Sequence, residues 1–224
     1  MSKANYEVRA ALTPAAVVMA AARAFPAARS PDLHQAGTDR QPANDTLRQI
    51  GRVGIIGADA IGIAMQVLDA DIPVTLFDTR REATVQAVAT ARAAYEKLVT
   101  AGQLTADQRD RRMALLTGAA NFHHLKDCDL ILATLSSEMS AAEKLFRRLD
   151  ELVKPGTILV TNHMASEIAD IARFTRRPAD VLGMRFAIPV VPLRSFDLVR
   201  ASVTSEETFA AADALVKKIR KPGQ

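Results

Sequence analysis

Arg52-Val53-Gly54-Ile55-Ile56-Gly57-Ala58-Asp59-Ala60-Ile61-Gly62 is an apolar strand running into a glycine turn, and its reading decides the fold. Gly62 follows Gly57 by five residues, inside the predicted helix, and the position between them that is usually glycine is Asp59. A second apolar strand, Val74-Thr75-Leu76-Phe77, ends at Asp78, 21 residues past Gly57. In a dinucleotide-binding turn the first glycine allows the tight bend and the middle one admits the pyrophosphate. The last lets helix pack on strand, and the distal acid accepts hydrogen bonds from the adenosine ribose. Two of the three glycines and the acid stand in place. The cofactor-binding residues read from this pattern are therefore Gly57, Ala58, Asp59, Ala60, Ile61, Gly62 and Asp78.

Working outward, strand and helix alternate from Arg52 to the end, which predicts an α/β fold: a Rossmann-type, doubly wound, mostly parallel sheet with helices on both faces. Strands are expected at 53–57, 74–78, 115–117, 129–134, 157–161, 181–186 and 196–201. Helices are expected at 60–70, 81–101, 105–114, 138–153, 166–174 and 204–218. Gly102 should stop the second helix, and Thr105-Ala106-Asp107-Gln108 has the form of a capping box that opens the third. Residues 1–49 read as an Ala/Pro-rich leader and linker, with Thr13-Pro14 starting a helix to about Arg23. Such a leader also resembles a targeting segment, but Glu7, Pro14 and the brevity of its apolar stretch argue against that. Residues 50–224 form the expected nucleotide-binding domain.

Bulk properties narrow the function. A chain of 224 residues with 49% hydrophobic content suffices for one large domain burying roughly 70% of its unfolded surface. Its net charge of +4 is dispersed and only 4% of residues are aromatic, so nucleic acid is not an expected partner. The one cysteine, Cys128, excludes an internal disulfide, and a reducing, cytoplasmic setting is expected. No apolar run reaches the ~20 residues of a membrane span. His123-His124 lacks a spaced third ligand, so no metal is expected. Asp78 opposes a 2′-phosphate by charge, although Arg80 and Arg81 follow it; NAD is the expected cofactor.

With the elements in this order, the chain resembles the NAD-binding domain of the 3-hydroxyacyl-CoA dehydrogenases from about Ile50 to Pro222. Its blocks are 53–78, Leu98-Val99-Thr100-Ala101-Gly102-Gln103-Leu104-Thr105, Leu145-Phe146 with Leu149-Asp150, and Ile158-Leu159-Val160-Thr161-Asn162. Pro189-Val190-Val191-Pro192 and Thr204-Ser205-Glu206-Glu207-Thr208 complete them. The resemblance implies an imidazole base oriented by a glutamate, with a serine and an asparagine holding the substrate oxygen. Matched to Ser-Asn-Thr-Ser-Ser, this chain has Thr161-Asn162-His163-Met164-Ala165, which puts Met164 at the serine position. Matched to His-Phe-Phe-Asn-Pro, it has Arg185-Phe186-Ala187-Ile188-Pro189, with Arg185 for the base and Ile188 for the asparagine. Asp197 corresponds to the orienting glutamate. Ala133, Ser137 and Ala142 stand at further polar family positions, and Asn162 retains the family residue near the nicotinamide end.

These departures predict impaired catalysis. Arginine cannot accept a proton near neutral pH, and losing a general base costs about 10²–10⁴-fold. Met164 and Ile188 lack the groups that would fix an oxygen, for ~10²–10³-fold each if those act as oxyanion donors. Arg185 and Asp197 are expected to pair, replacing chemistry with structure; the rival role for Arg185 is an anion grip. His163 is the candidate substitute base. Three functions follow: an NAD(H)-binding dehydrogenase-like protein of impaired activity; a non-enzymatic module for nucleotide sensing or protein association; and a dehydrogenase of a different hydroxy acid. Adenine dinucleotide, acyl-CoA and a protein partner or second copy are the corresponding partners. The sequence stops where the family's last strand and helical domain would follow, so a substrate would meet half a cleft.

Overall fold

A computed structural model describes residues 48–134, 138–163, 165–185 and 197–220, all within one unit spanning 44–224. The expected leader, the helix from Thr13, Met164 and Ile188 lie outside the described residues. Strands β1 (Val53–Ile56), β2 (Val74–Phe77), β3 (Leu116–Ala119), β4 (Leu130–Ala133), β5 (Ile158–Thr161), β6 (Val181–Arg185) and β7 (Asp197–Val199) form one sheet, ordered β3-β2-β1-β4-β5-β6-β7. The order reverses between β1 and β4, which makes their carboxyl ends the switch point where open α/β sheets bind ligands.

Among the described residues, six α-helices accompany the strands: α1 (Ile61–Asp69), α2 (Arg81–Thr100), α3 (Ala106–Ala114), α4 (Met139–Leu152), α5 (Ala165–Ala172) and α6 (Glu206–Arg220), the last following β7. Alternate strand residues supply two cores. Val53, Ile55, Val74, Leu76, Leu130, Leu132 and Val160 pack with α1, α2 and α6 on one face. Ile56, Ile131, Ala133 and Leu159 pack with α4 and α5 on the other. Burial on both faces is why these strands read as unbroken apolar runs rather than alternating ones. The expected elements are present with ends shifted by a residue or two. Gly102 stops the chain past α2 at φ +69°. The capping box forms at α3: the Gln108 N–H donates to Thr105 Oγ1 and the Thr105 N–H to Gln108 Oε1.

β7 runs antiparallel to β6, with Arg185 opposite Asp197. Only the eleven residues 186–196 connect them, and a parallel return through a helix takes a dozen or more. Two 3₁₀ turns, Phe122–Leu125 and Pro178–Asp180, carry no periodic signal in sequence. Asp150 ties α4 to the segment before β6. Buried at 5% exposure, its carboxylate takes the Arg176 backbone N–H (3.2 Å), Arg176 Nε (2.8 Å) and Arg177 Nε (2.8 Å).

Candidate functional site

β1 ends at Ile56, and the chain turns at once. Gly57 adopts φ +111°, ψ +115°, a conformation that L-residues with a side chain rarely adopt. A Cβ there would lie 2.0 Å from Thr134 Oγ1. The turn is pinned on both sides, since Gly57 N–H donates to Phe77 O (2.9 Å) and Thr134 donates to Ile56 O from both its N–H and its hydroxyl (2.9 Å each). Ala58–Ala60 form a 3₁₀ turn that runs straight into α1 at Ile61. The helix therefore begins one residue later than expected, with an extra tight turn at its mouth. Gly62 is the second residue of α1, half-buried.

Asp78 is 11% exposed. Its Oδ2 accepts the Ala58 N–H and its Oδ1 the Arg80 N–H, both at 2.9 Å. Arg80 Nε stands 3.6 Å from Oδ1. Burial pushes this carboxyl up, but the two backbone N–H groups and Arg80 outweigh it and hold its pKa below the ordinary aspartate value. The acid expected to contact the ribose thus braces the glycine turn, and each of its oxygens keeps a lone pair.

Asp59 is exposed. With Ala58, Ile61, Ala83, Gln86, Ala87 and Thr90 it lines a cleft of about 330 Å³ between the turn and α2. That cleft flanks the turn on the β2 side; it is not the crevice over the β1/β4 switch point.

At the carboxyl end of β5, Asn162 is half-buried and His163 is 5% exposed. Thr161 Oγ1 lies 2.8 Å from His163 Nδ1 and accepts the His163 N–H at 3.3 Å. His163 Nε2 is buried without a hydrogen-bond partner among the described residues. Arg185 closes β6 and Asp197 opens β7; they face each other across the ladder with Arg185 Nη2 4.0 Å from Asp197 Oδ2, and both are more than 60% exposed. Arg220 also approaches Asp197, at 3.7 Å. An exposed pair at that distance contributes about 0–1 kcal/mol, a slight structural role for the expected bridge. Ala133 ends β4 and Ala142 is buried in α4; Ser137 lies outside the described residues.

The sheet end therefore brings together the turn 57–62, Asp78, Thr134 and the Thr161–His163 pair, while Arg185 and Asp197 stay on the solvated edge. Sequence reasoning passed over Thr134, read as a strand's last residue, and Gln86 and Thr90, which it did not single out within the helix at 81–101. His123 and His124 are exposed in their 3₁₀ turn, and no group of three potential metal ligands occurs among the described residues. Cys128 is buried, and burial pushes its thiol up to about 11, which leaves it largely protonated and a poor nucleophile near neutral pH.

The glycine turn, the switch point of the sheet and the acid that ends β2 together define a Rossmann-type domain. Residues 52–223 match the model of the 3-hydroxyacyl-CoA dehydrogenase NAD-binding domain, and the chain belongs to that family, whose cofactor is NAD. It is 30% identical over 173 residues to a 3-hydroxybutyryl-CoA dehydrogenase of Mycobacterium tuberculosis, covering 76% of this chain and 60% of that one. Over 125 residues it is 35% identical to the enzyme of the same name from Clostridioides difficile, covering 56% of this chain and 44% of that one. The crystal structure of (S)-3-hydroxybutyryl-CoA dehydrogenase from Ralstonia eutropha superposes with a TM-score of 0.72 at 27% identity, over 77% of this chain and 62% of that one. The chain thus spans less than two thirds of the length of these relatives.

Proposed function

We propose that this chain is an NAD(H)-binding, 3-hydroxyacyl-CoA dehydrogenase-like protein whose own catalytic capacity toward 3-hydroxyacyl thioesters is impaired. The observation that carries the impairment is Arg185, which stands at the exposed end of β6 against Asp197, where the family resemblance requires an imidazole and a glutamate. A guanidinium stays protonated through the pH range of catalysis, so the alcohol proton has no acceptor there. Met164 and Ile188 add to this by their side-chain chemistry.

Nucleotide binding is supported by the conformation of Gly57, the bracing of the turn by Asp78 and the solvent-facing room for Asp59. Bound NAD would supply hydride chemistry; the chain would supply the turn, the ribose acid and a buried imidazole. Acyl-CoA is the corresponding substrate class, and a protein partner or second copy is a further expected partner. A cytoplasmic setting suits a chain with one buried cysteine. Among the described residues no helix is long and apolar enough to cross a membrane.

NADH fluorescence titration followed by acetoacetyl-CoA reduction tests this reading. Binding at micromolar NADH with turnover at least ~10²-fold below an intact dehydrogenase is the expected result. Turnover at ordinary enzymatic rates would end the impaired reading. No binding at millimolar NADH would favour a sensing or association module that has lost the nucleotide. A dehydrogenase of another hydroxy acid draws its support from the buried imidazole of His163.

A further inference from the structure

His163 is the feature that the family resemblance does not account for. It stands two residues past the end of β5, at the same sheet end as the glycine turn. Thr161 pairs with Ala133, and Ala133 pairs with Ile56; β5 is thus two strands from β1, about 10 Å at ordinary strand spacing. That is within the span of one dinucleotide lying across the switch point.

The hydrogen-bond accounting fixes how the ring is presented. Thr161 is fully buried. Its oxygen accepts the His163 N–H, and the acceptor within reach of its own hydroxyl proton among the described residues is His163 Nδ1, at 2.8 Å. With that proton on Thr161, Nδ1 is the acceptor, and of the two neutral tautomers the ring holds the one with hydrogen on Nε2. That N–H is the buried polar atom left without a partner. Buried donors in native proteins are nearly always satisfied.

We infer that His163 is a ligand-contacting hydrogen-bond donor, its Nε2–H directed to a carbonyl oxygen in the nicotinamide half of the cleft, with Thr161 as the positioning residue that fixes the tautomer. The inference rests on the dinucleotide reading above. It assigns His163 a role different from that of a substitute base: the Nε2 position carries a hydrogen, and the lone pair on Nδ1 is engaged by Thr161. Such a ring orients and polarises a carbonyl without taking a proton from an alcohol. Two carbonyls share this chemistry, the carboxamide of nicotinamide and the ketone of a 3-ketoacyl thioester.

Titrating the full chain and its variants with NADH, with ADP-ribose (which lacks the nicotinamide) and with acetoacetyl-CoA in the presence of NADH separates the outcomes. If the acceptor is the carboxamide, His163→Leu binds NADH about tenfold more weakly and ADP-ribose within about twofold of the unaltered chain, and His163→Gln, which keeps a side-chain N–H, recovers part of the loss. If the acceptor is the ketone, NADH is unaffected and acetoacetyl-CoA binding falls about tenfold. Unchanged binding of all three, or equal losses for NADH and ADP-ribose, overturns the inference. Nitrogen NMR of the imidazole in the unaltered chain provides a readout independent of activity. Hydrogen on Nε2 in the unaltered chain, and a mixture of tautomers in Thr161→Val, are expected; hydrogen on Nδ1 overturns the assignment. ADP-ribose that fails to bind the unaltered chain overturns the dinucleotide reading and this inference with it. ADP-ribose binding with NADH and acetoacetyl-CoA both indifferent to His163→Leu overturns this inference alone.

Discussion

The Asp78 carboxylate accepts the backbone N–H of Ala58 at 2.9 Å, so the acid at the end of β2 and the glycine turn at the end of β1 are one hydrogen-bonded unit. Asp78→Ala removes two charge-assisted backbone contacts. Stability should fall by about 1.5–3 kcal/mol and NADH affinity by at least about tenfold. Asp78→Asn, which keeps one acceptor oxygen, should fall between. Urea unfolding and NADH titration of the same samples check both. Loss of affinity without loss of stability would show that the acid serves the ribose alone.

Asp59 places a negative charge on the turn, but in an exposed position. Its repulsion of a pyrophosphate charge should be near the aqueous limit, about 1 kcal/mol. Asp59→Gly should therefore tighten NADH about fivefold at low salt, and the gain should shrink as salt screens it. Titrations at two ionic strengths decide the matter. A gain indifferent to salt would point to a steric cause.

Gly57 and Thr134 exclude each other's side chains. Gly57→Ala combines an unfavourable φ of +111° with a Cβ 2.0 Å from Thr134 Oγ1, and should cost about 3 kcal/mol or more. Adding Thr134→Ala relieves the clash but not the backbone strain. Chemical denaturation should place the double variant between wild type and Gly57→Ala, and equal losses would mean that backbone strain alone sets the cost.

Asp150 is the buried anchor of two arginines. Asp150→Asn should destabilise the domain by about 2–4 kcal/mol, because Arg177, 18% exposed, loses its charged partner. NADH affinity should be unchanged in the folded variant, since the site lies at the opposite end of the strands. Thermal unfolding and NADH titration test the two halves separately.

Acid should unfold this domain through three carboxylates. Burial raises Asp78, Asp129 and Asp150, but their N–H, arginine and lysine partners outweigh it and hold all three pKa values below 3.8. A folded pKa below the unfolded one contributes stability that is present above the unfolded value and lost as pH falls through the folded one. Asp69, raised chiefly by burial, acts in the opposite sense. Unfolding free energy should thus be flat near neutrality and drop between about pH 4 and about pH 2, with a smaller drop in Asp150→Asn.

Much of this architecture was legible in the residues. Apolar runs such as Leu130-Ile131-Leu132-Ala133 announce strands buried on both sides, and Thr105 with Gln108 announces a helix start. Gly57 at the end of an apolar run announces the tight turn that follows β1. These signals are local: each depends on neighbours within a few residues, or on a spacing that one βαβ unit imposes. Asp150 left a fainter trace, as an acid four residues past Phe146 on the buried stripe of α4.

What the chain alone determined, then, is its succession of strands and helices and the chemistry of each position: a guanidinium at Arg185, a carboxylate on the glycine turn, an imidazole beside Asn162. Tertiary structure decided which of these groups meet. It set Thr134 against Gly57 from 77 residues away, turned Asp78 back onto the turn, and left Arg185 and Asp197 in solvent. The physical reason is that hydrogen-bond partnership and burial depend on which strand ends the sheet order makes adjacent. Sequence separation does not report that order.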